Sequence, residues 1–500
     1  MADPLGILAL LIVAAGPSDP ADFVWADDVA NPVQQVSFQE NMADRPSSLP
    51  SDVEASDDGM VFASDIPGDD GKVVLGGFQD ESPFTDEPLP APPHPAGQAP
   101  STLPGTFSEQ NGLPPEHLLF DTQAEVTYGD DSFTEACQRT DRHGGSLLEK
   151  IVYDGWISQG YTLNANGPRN NLNFPVGFNN QSNQYQMNQI YVLLEKPVDR
   201  SGCSWDIGGQ VDLLFGTDAT FATSRGLETH EDFSDRWNLD RYGLAMPQLY
   251  MEVFAPWGNG LSLKLGHFYS LVGYETVPAA ENFFYSHSYA LQYGEPITHT
   301  GFVASKQLGR MTFHAGMTRG WDNWSDNNND SSFIAGINFT SEDGRTSIAY
   351  GFVGGREQDD PPRNTNFRSM FSLVVQHQLD ERFRYVAQYD HGFDEFGAAR
   401  GTRDADWFGV NQYLFYRINC KCDFGVRYEW FRDEDATRIL TRQPGDYFEA
   451  TAGFNWRPEE HITVRPEFRV DWVDNGNFRP FVDGRRRDQI TLACDVIVRF

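Results

Sequence analysis

Long hydrophobic runs are scarce in this 500-residue sequence. The longest, LGILALLIVAAG at residues 5–16, falls well short of the roughly 20 residues a membrane-spanning helix needs, which excludes a helical membrane protein. It suits the apolar heart of a secretory signal, and residues 1–16 are read that way. The signal is atypical, because Asp3 precedes the run and no Lys or Arg does. A short buried or disordered apolar patch is the plainer alternative. Positive charge is also in short supply: 37 Lys and Arg stand against 72 Asp and Glu, a net of −35. Phosphate backbones demand clustered basic side chains, so nucleic acid is excluded as a partner. Cysteine is rare, at 137, 203, 420, 422 and 494. Cys420 and Cys422 are too close for an easy bridge and lack the second pair a zinc site wants. Cys137 and Cys203 could join an exported disulfide or stay as thiols.

What is present is unevenly spread. Residues 1–136 carry 25 Asp and Glu against only Arg45 and Lys72. From residue 17 to 135 the chain is rich in Pro, Asp, Ser and Gly, as in DEPLPAPPHPAGQAP. Such a segment cannot bury enough apolar surface to offset its chain entropy, so it is expected to be a disordered acidic linker. Residues 136–154 read as a transition, and 155–500 as the folded part.

There the pattern changes to alternation. In HITVRPEFRVDW, apolar Ile462, Val464, Phe468, Val470 and Trp472 interleave with Thr463, Arg465, Glu467, Arg469 and Asp471. Period two is the signature of a strand with one greasy and one wet face. About 16 segments of this kind follow one another (14–18 on a strict or generous count), each near the ten residues a tilted strand needs to cross a bilayer. Their connections alternate strictly. KPVDRSG, PWGNG, LG, SEDG, LDE, CK and RPEEH are short, and every other link is long. Tight turns then share one end of a meander and loops the other, which a soluble sandwich or propeller has no reason to do. The fold expected is all-β, a transmembrane up-and-down antiparallel barrel. An even strand count puts both termini on one side, the periplasmic one. The chain stops on Phe500 inside the last strand's pattern, where a frayed end would be usual. The final strand must close on the first, because an open edge is prohibitive in lipid.

If the apolar faces meet lipid, the opposite faces line the lumen. The residues placed there are Asp212, Glu252, Lys264, Arg345, Arg384, Arg427, Glu429, Arg465, Glu467, Arg469, Asp471, Asp495 and Arg499, with Gln210 and Glu449 beside them. So many charges cannot be buried dry, and sixteen strands leave room for water. Walls of mixed sign suit a general polar pore. Trp156, Trp205, Trp257, Trp407, Trp430, Trp456 and Trp472 fall near strand ends, where interfacial girdles explain them; core packing explains about a third of them equally well. The connection 269–297 is long and aromatic, and needs somewhere to bury those residues. Folding into the barrel would make Glu275, Glu281, His287 and Glu295 constriction residues; packing as an external cap is the alternative. DNWSDNNNDSS carries oxygen ligands but lacks the Gly and Glu of a calcium loop, so no metal is expected. Ser286, His287 and Ser288 are adjacent, yet no partner acid can be placed by spacing, so no enzyme is expected.

Two stretches add a family likeness. GWISQGYTLN (Gly155, Trp156, Gly160, Tyr161) and FYSHSYALQYGEPITHTG (Tyr285, Ser286, Tyr289, Pro296, Thr300, Gly301) resemble the OmpL-like β-barrel porins, over about 150–500. The resemblance implies an outer-membrane porin passing small polar solutes or ions by passive diffusion, with no cofactor and no catalytic residues. Its partners would be outer-membrane lipid and the barrel-assembly machinery, for which terminal Phe500 looks like the recognition signal. A homotrimer is one assembly open to it. The tail, with the C-terminus, would be periplasmic. The rival is a plugged structural or adhesive barrel acting through its loops or tail.

Overall fold

The computed structural model describes residues 151–500, apart from 201–203, 231–233, 238–240, 259, 359–364, 399–402, 440, 442 and 475. The signal segment, the acidic linker, Cys137, Cys203 and most of the 136–154 transition lie outside the described residues. Sixteen strands follow in order: β1 Val152–Asn164, β2 Gln184–Lys196, β3 Asp206–Gly216, β4 Gly243–Ala255, β5 Leu261–Tyr269, β6 Thr298–Leu308, β7 Met311–Thr318 and β8 Ser332–Thr340. The second half is β9 Thr346–Gln358, β10 Thr365–Gln378, β11 Phe383–Ala398, β12 Arg403–Asn419, β13 Cys422–Asp433, β14 Gly445–Glu459, β15 Ile462–Val473 and β16 Asp488–Arg499. Every strand pairs antiparallel with its sequence neighbour and β16 returns to β1, closing the barrel. Among the described residues no helix is long and apolar enough to cross a membrane; the crossing elements are strands.

Alternation decides which face of each strand looks inward. On β13 the residues Asp423, Gly425, Arg427, Glu429, Phe431 and Asp433 are buried, and the intervening ones are half-buried or exposed. A one-residue slip would turn the charged set into hydrocarbon, so the register is strongly specified. Closure is just as definite: nine pairs run from Trp156 opposite Arg499 to Asn164 opposite Thr491. The Phe500 N–H then donates to the Gly155 carbonyl at 2.9 Å. A side chain at Gly155 would meet the Phe500 ring, its Cβ 2.7 Å from Cε2. The terminal residue thus seals the seam, which no lipid-facing strand could leave open.

The strands reach further than alternation alone suggested. β11 runs from Phe383 to Ala398 and β12 from Arg403 to Asn419, well beyond the roughly ten residues a tilted strand needs to cross a bilayer. The tryptophans divide between the girdle and the interior. Trp205 and Trp257 are exposed and pack edge to face at 5.0 Å, and Trp456 is exposed. Trp156 and Trp407 are buried, at 1% and 0% exposure, because their positions fall on the inward parity. They belong to the interior.

Candidate functional site: a loop inside the barrel

The link between β5 and β6, residues 270–297, does not cap the barrel. It crosses the lumen. Its residues Leu271 and Val272 join Val303, Ile334, Val353 and Met370 from the inner faces of β6, β8, β9 and β10 in one apolar cluster. Farther along, Phe283 and Phe284 cluster with Val374, Val386, Tyr413 and Phe415. Wall glycines make room for the rings: a Cβ at Gly425 would sit 2.5 Å from the Phe283 ring, and one at Gly160 2.6 Å from that of Tyr285.

A loop that leaves the sheet carries backbone groups with no ladder partner, and buried ones must be satisfied. The charged wall of β13–β16 does this. Arg465 binds Asp495 through two nitrogens, at 2.8 and 2.6 Å, and its remaining Nη1 donates to the carbonyls of Ala279, Asn282 and Phe284 at 2.8–3.0 Å. Arg427 reaches Glu275 at 2.6 Å and the Ser286 carbonyl at 2.8 Å while contacting Glu449 through Nε. Arg469 holds Asp471 and donates to the His287 carbonyl at 2.6 Å. Carboxylates do the converse. Glu467 accepts the Tyr285 and Ser286 N–H groups at 3.0 and 3.1 Å, and Glu429 those of Tyr289 and Ala290 at 2.6 and 2.7 Å. Tyr289 OH donates to Asp471 at 2.6 Å. From β2, Gln189 accepts the Ala279 N–H and donates to the Val277 carbonyl at 2.7 Å. Three guanidiniums serve carbonyls and two carboxylates serve amides, so the ladder replaces a missing strand. Charge assistance makes such bonds short and strong.

The electrostatics follow from that packing. Burial alone would push the Glu275 carboxyl up, but Arg427 beside it, followed by His287 and the Ser288 N–H, holds it well below the usual carboxylate range. Burial pushes His287 down against Glu275, whose Oε2 lies 3.3 Å from Nδ1, so the ring is neutral at neutral pH. Glu295 is driven well up by burial and then by Asp390. Glu275 is the acid that spacing could not place near His287. Ser286 Oγ is taken by Arg427 at 3.1 Å and Ser288 Oγ accepts the Leu291 N–H.

Arg427, Glu429, Arg465, Glu467, Arg469, Asp471 and Asp495 face inward as expected, but none of them lines open water: each is at most 5% exposed. The infolded loop covers them, because its unpaired backbone needs their charges. Asp212 is likewise buried, accepting from Tyr191 OH at 2.6 Å and from Gln248. Toward the tight-turn end of the lumen are Glu252, bound by Arg200 at 2.7 Å, Lys264 over the Tyr250 ring, and Arg384. Arg499, 2.8 Å from Asp154, stands at the turn-end mouth. Arg345 is a correction. It lies in the β8–β9 turn, one residue before β9, where strand parity no longer applies, and its exposed side chain donates to the carbonyls of Gln378 and Leu379 outside the lumen. Of the loop residues, Glu275, His287 and Glu295 are buried within the lumen; Glu281 is half-buried and accepts from Thr276 OH at 3.3 Å. In the 322–332 loop Asp326 accepts the N–H groups of Asn328 and Asn329. Two features escaped the sequence reading: the anchor Gln189 and the apolar inner wall. The wall's only signal is strands apolar on both faces, as in SFIAGINFT of β8.

A closed sixteen-strand barrel with a lipid-matched exterior and a loop held inside it defines a transmembrane barrel of the channel-forming class. The chain belongs to the family described as putative beta-barrel porin-2, OmpL-like, which matches residues 150–500. It is an outer-membrane porin, a channel protein. Its fold is similar to that of the outer membrane channel DcaP of Acinetobacter baumannii, at 12% identity and a TM-score of 0.48, covering 70% of this chain and 97% of that one. It is similar also to in-vitro-folded OmpT of Vibrio cholerae (10%, TM-score 0.46, 70% and 97%) and to Salmonella typhi OmpF in complex with daunomycin (9%, TM-score 0.45, 70% and 97%). No curated protein matches the sequence.

Proposed function

We propose that this porin passes small polar solutes by passive diffusion through a lumen narrowed by its own β5–β6 loop. The observation that carries the reading is that loop: in a porin-family barrel, it enters the lumen and is held there by paired charges. The less buried inner residues near the turns, Gln210, Lys264 and Arg499, would line a water-filled vestibule, and release of the loop would widen the path. In this reading the tight turns and both termini are periplasmic, the acidic tail is a periplasmic spacer, and Phe500 is what the assembly machinery reads. The barrel lies in outer-membrane lipid as a homotrimer, with no cofactor and no catalysis.

Planar-bilayer recording tests the reading. The full chain should give small stepwise openings, and Arg427→Ala combined with Arg469→Ala, which frees the loop, should enlarge them. The near-complete burial of the ladder favours a second reading, a plugged barrel acting through its surface loops or tail. Silence from a correctly folded barrel, in both the native and the loop-released forms, would establish the plug and reject the pore.

A further inference from the structure

The outward face of a barrel strand meets hydrocarbon, where a polar group finds no partner among acyl chains. β7 and β8 obey this throughout: Phe313, Ala315, Met317, Phe333, Ala335 and Ile337 point outward in turn. The opposite side of the wall breaks it twice. On β12 the outward Gln412 stands between Val410 and Leu414, and opposite Ala387 and Tyr428. On β1 the outward Gln159 stands opposite Met187 and Val496. Each lies as far from the turn end of its strand as the other does, so both amides sit at mid-strand depth. Both are also held in the same way: Tyr385 OH donates to Gln412 Oε1 at 3.0 Å, and Tyr185 OH to Gln159 Oε1 at 2.7 Å. Neither Nε2 has a hydrogen-bond partner among the described residues.

An amide with two unmet donors and a spare acceptor lone pair is costly where only hydrocarbon surrounds it. Whatever serves it must bring an acceptor and a donor to the same depth. A second amide does both, because two amides exchange donor for acceptor reciprocally, and this chain carries two at one depth. They are not neighbours on the wall: β13–β16 lie between them. One barrel cannot join its own pair, but Gln412 of one copy can meet Gln159 of the next. Contact between two different patches is heterologous, and it closes when successive copies form a ring. A three-fold ring turns the β13–β16 side toward its axis, and that side admits a neighbour. Small Ala450 stands between Tyr428 and Val470, and Ala452 between Val426 and Phe468, at an open depression of about 480 Å³ in the outer wall. Small residues that let a second surface approach, beside polar groups that bond across the contact, are the means by which proteins associate within a bilayer.

We infer that the outer face from β11 round to β2 is the surface on which copies of this barrel meet, with Gln412 of each bonded to Gln159 of the next. The inference rests on the homotrimer reading and adds to it the face and the contact. Sedimentation of the full chain in mild detergent, with heat-modifiable gel mobility confirming each fold, measures the assembly. The native protein should run as a trimer. Gln412→Leu and Gln159→Leu should each raise its dissociation constant at least tenfold, and the two together should do little more, since both remove the same bond. Either change also relieves an unpaired amide in hydrocarbon, so the dissociated barrels should be no less stable to urea than the native one; a merely structural role would lower that stability. Ala450→Trp should weaken assembly, and Ala315→Trp on β7 should not. Disulfide trapping reads the geometry, in full-length protein whose five native cysteines are changed to Ser. Gln412→Cys co-folded with Gln159→Cys should give a cross-linked pair that neither gives alone, and a chain carrying both changes should give a covalent ring of three. Cross-linking by Gln412→Cys alone would mark a two-fold contact and overturn the ring. A trimer that forms without the mixed cross-link, or that keeps its strength in both Leu variants, overturns this face and leaves the homotrimer standing. A native barrel that stays monomeric refutes the homotrimer, and this contact with it.

Discussion

Arg465 shows how much one side chain can carry when it is buried with its partners. It neutralises Asp495 and satisfies three loop carbonyls at once. Arg465→Ala strands a buried carboxylate and three acceptors, and breaking such a pair costs about 3–5 kcal/mol. The expected readout is a matching drop in urea stability of the detergent-folded barrel. Arg465→Lys should recover little, since an ammonium cannot span a bidentate carboxylate and three carbonyls. Glu275 supplies a pH test. Its folded pKa lies below the ordinary 4.5, so its contribution is complete above about 4.5 and is lost as the pH falls through the lowered value. Acid should therefore loosen the loop, read as rising protease cleavage within 271–294, and Glu275→Gln should show that cleavage already at neutral pH. The sequence put Arg465 and Asp495 on the inward parity, and that was legible. Their partners were not: Arg465 and the Ala279 carbonyl are 186 positions apart, and periodicity is silent about such distances.

At the scale of the element, strand and loop obey different rules. A strand's residues are placed by alternation, which is local, so the inner face was readable along whole elements such as β13 and β15. The rule fails where the strand stops, as Arg345 shows. The loop 270–297 has no period, and its composition announced only that its aromatics needed burial; whether they packed outside or inside depended on shapes contributed by other strands. Gly425 is one of those shapes. Gly425→Leu would drive a side chain into the Phe283 ring and displace the loop. Overpacking of this kind costs about 1–3 kcal/mol, and bilayer recording should find a larger conductance than in the native barrel, with the far-ultraviolet signature of the strands unchanged.

At the scale of the molecule, the barrel's stability should depend on pH through a buried acid at the loop end. Burial pushes Asp218 up to about 7, although Asn188, Gln189 and Thr217 all donate to it. Since that value exceeds the ordinary 3.8, the folded barrel keeps a proton that the unfolded chain has released across that window. Stability should therefore fall as the pH rises from about 4 to about 7. Thermal unfolding in detergent checks this slope, and Asp218→Asn should flatten it.

The sequence by itself determined that the chain crosses its membrane with strands, about how many there are, and which face of most strands turns inward. Alternation and loop length are local quantities written along one strand at a time. Only the tertiary structure decided that the inward charges hold a loop in place of lining open water. That outcome required the β5–β6 segment to meet β13–β16 across the lumen, where backbone groups stripped of water and sheet partners took the charged wall as their substitute.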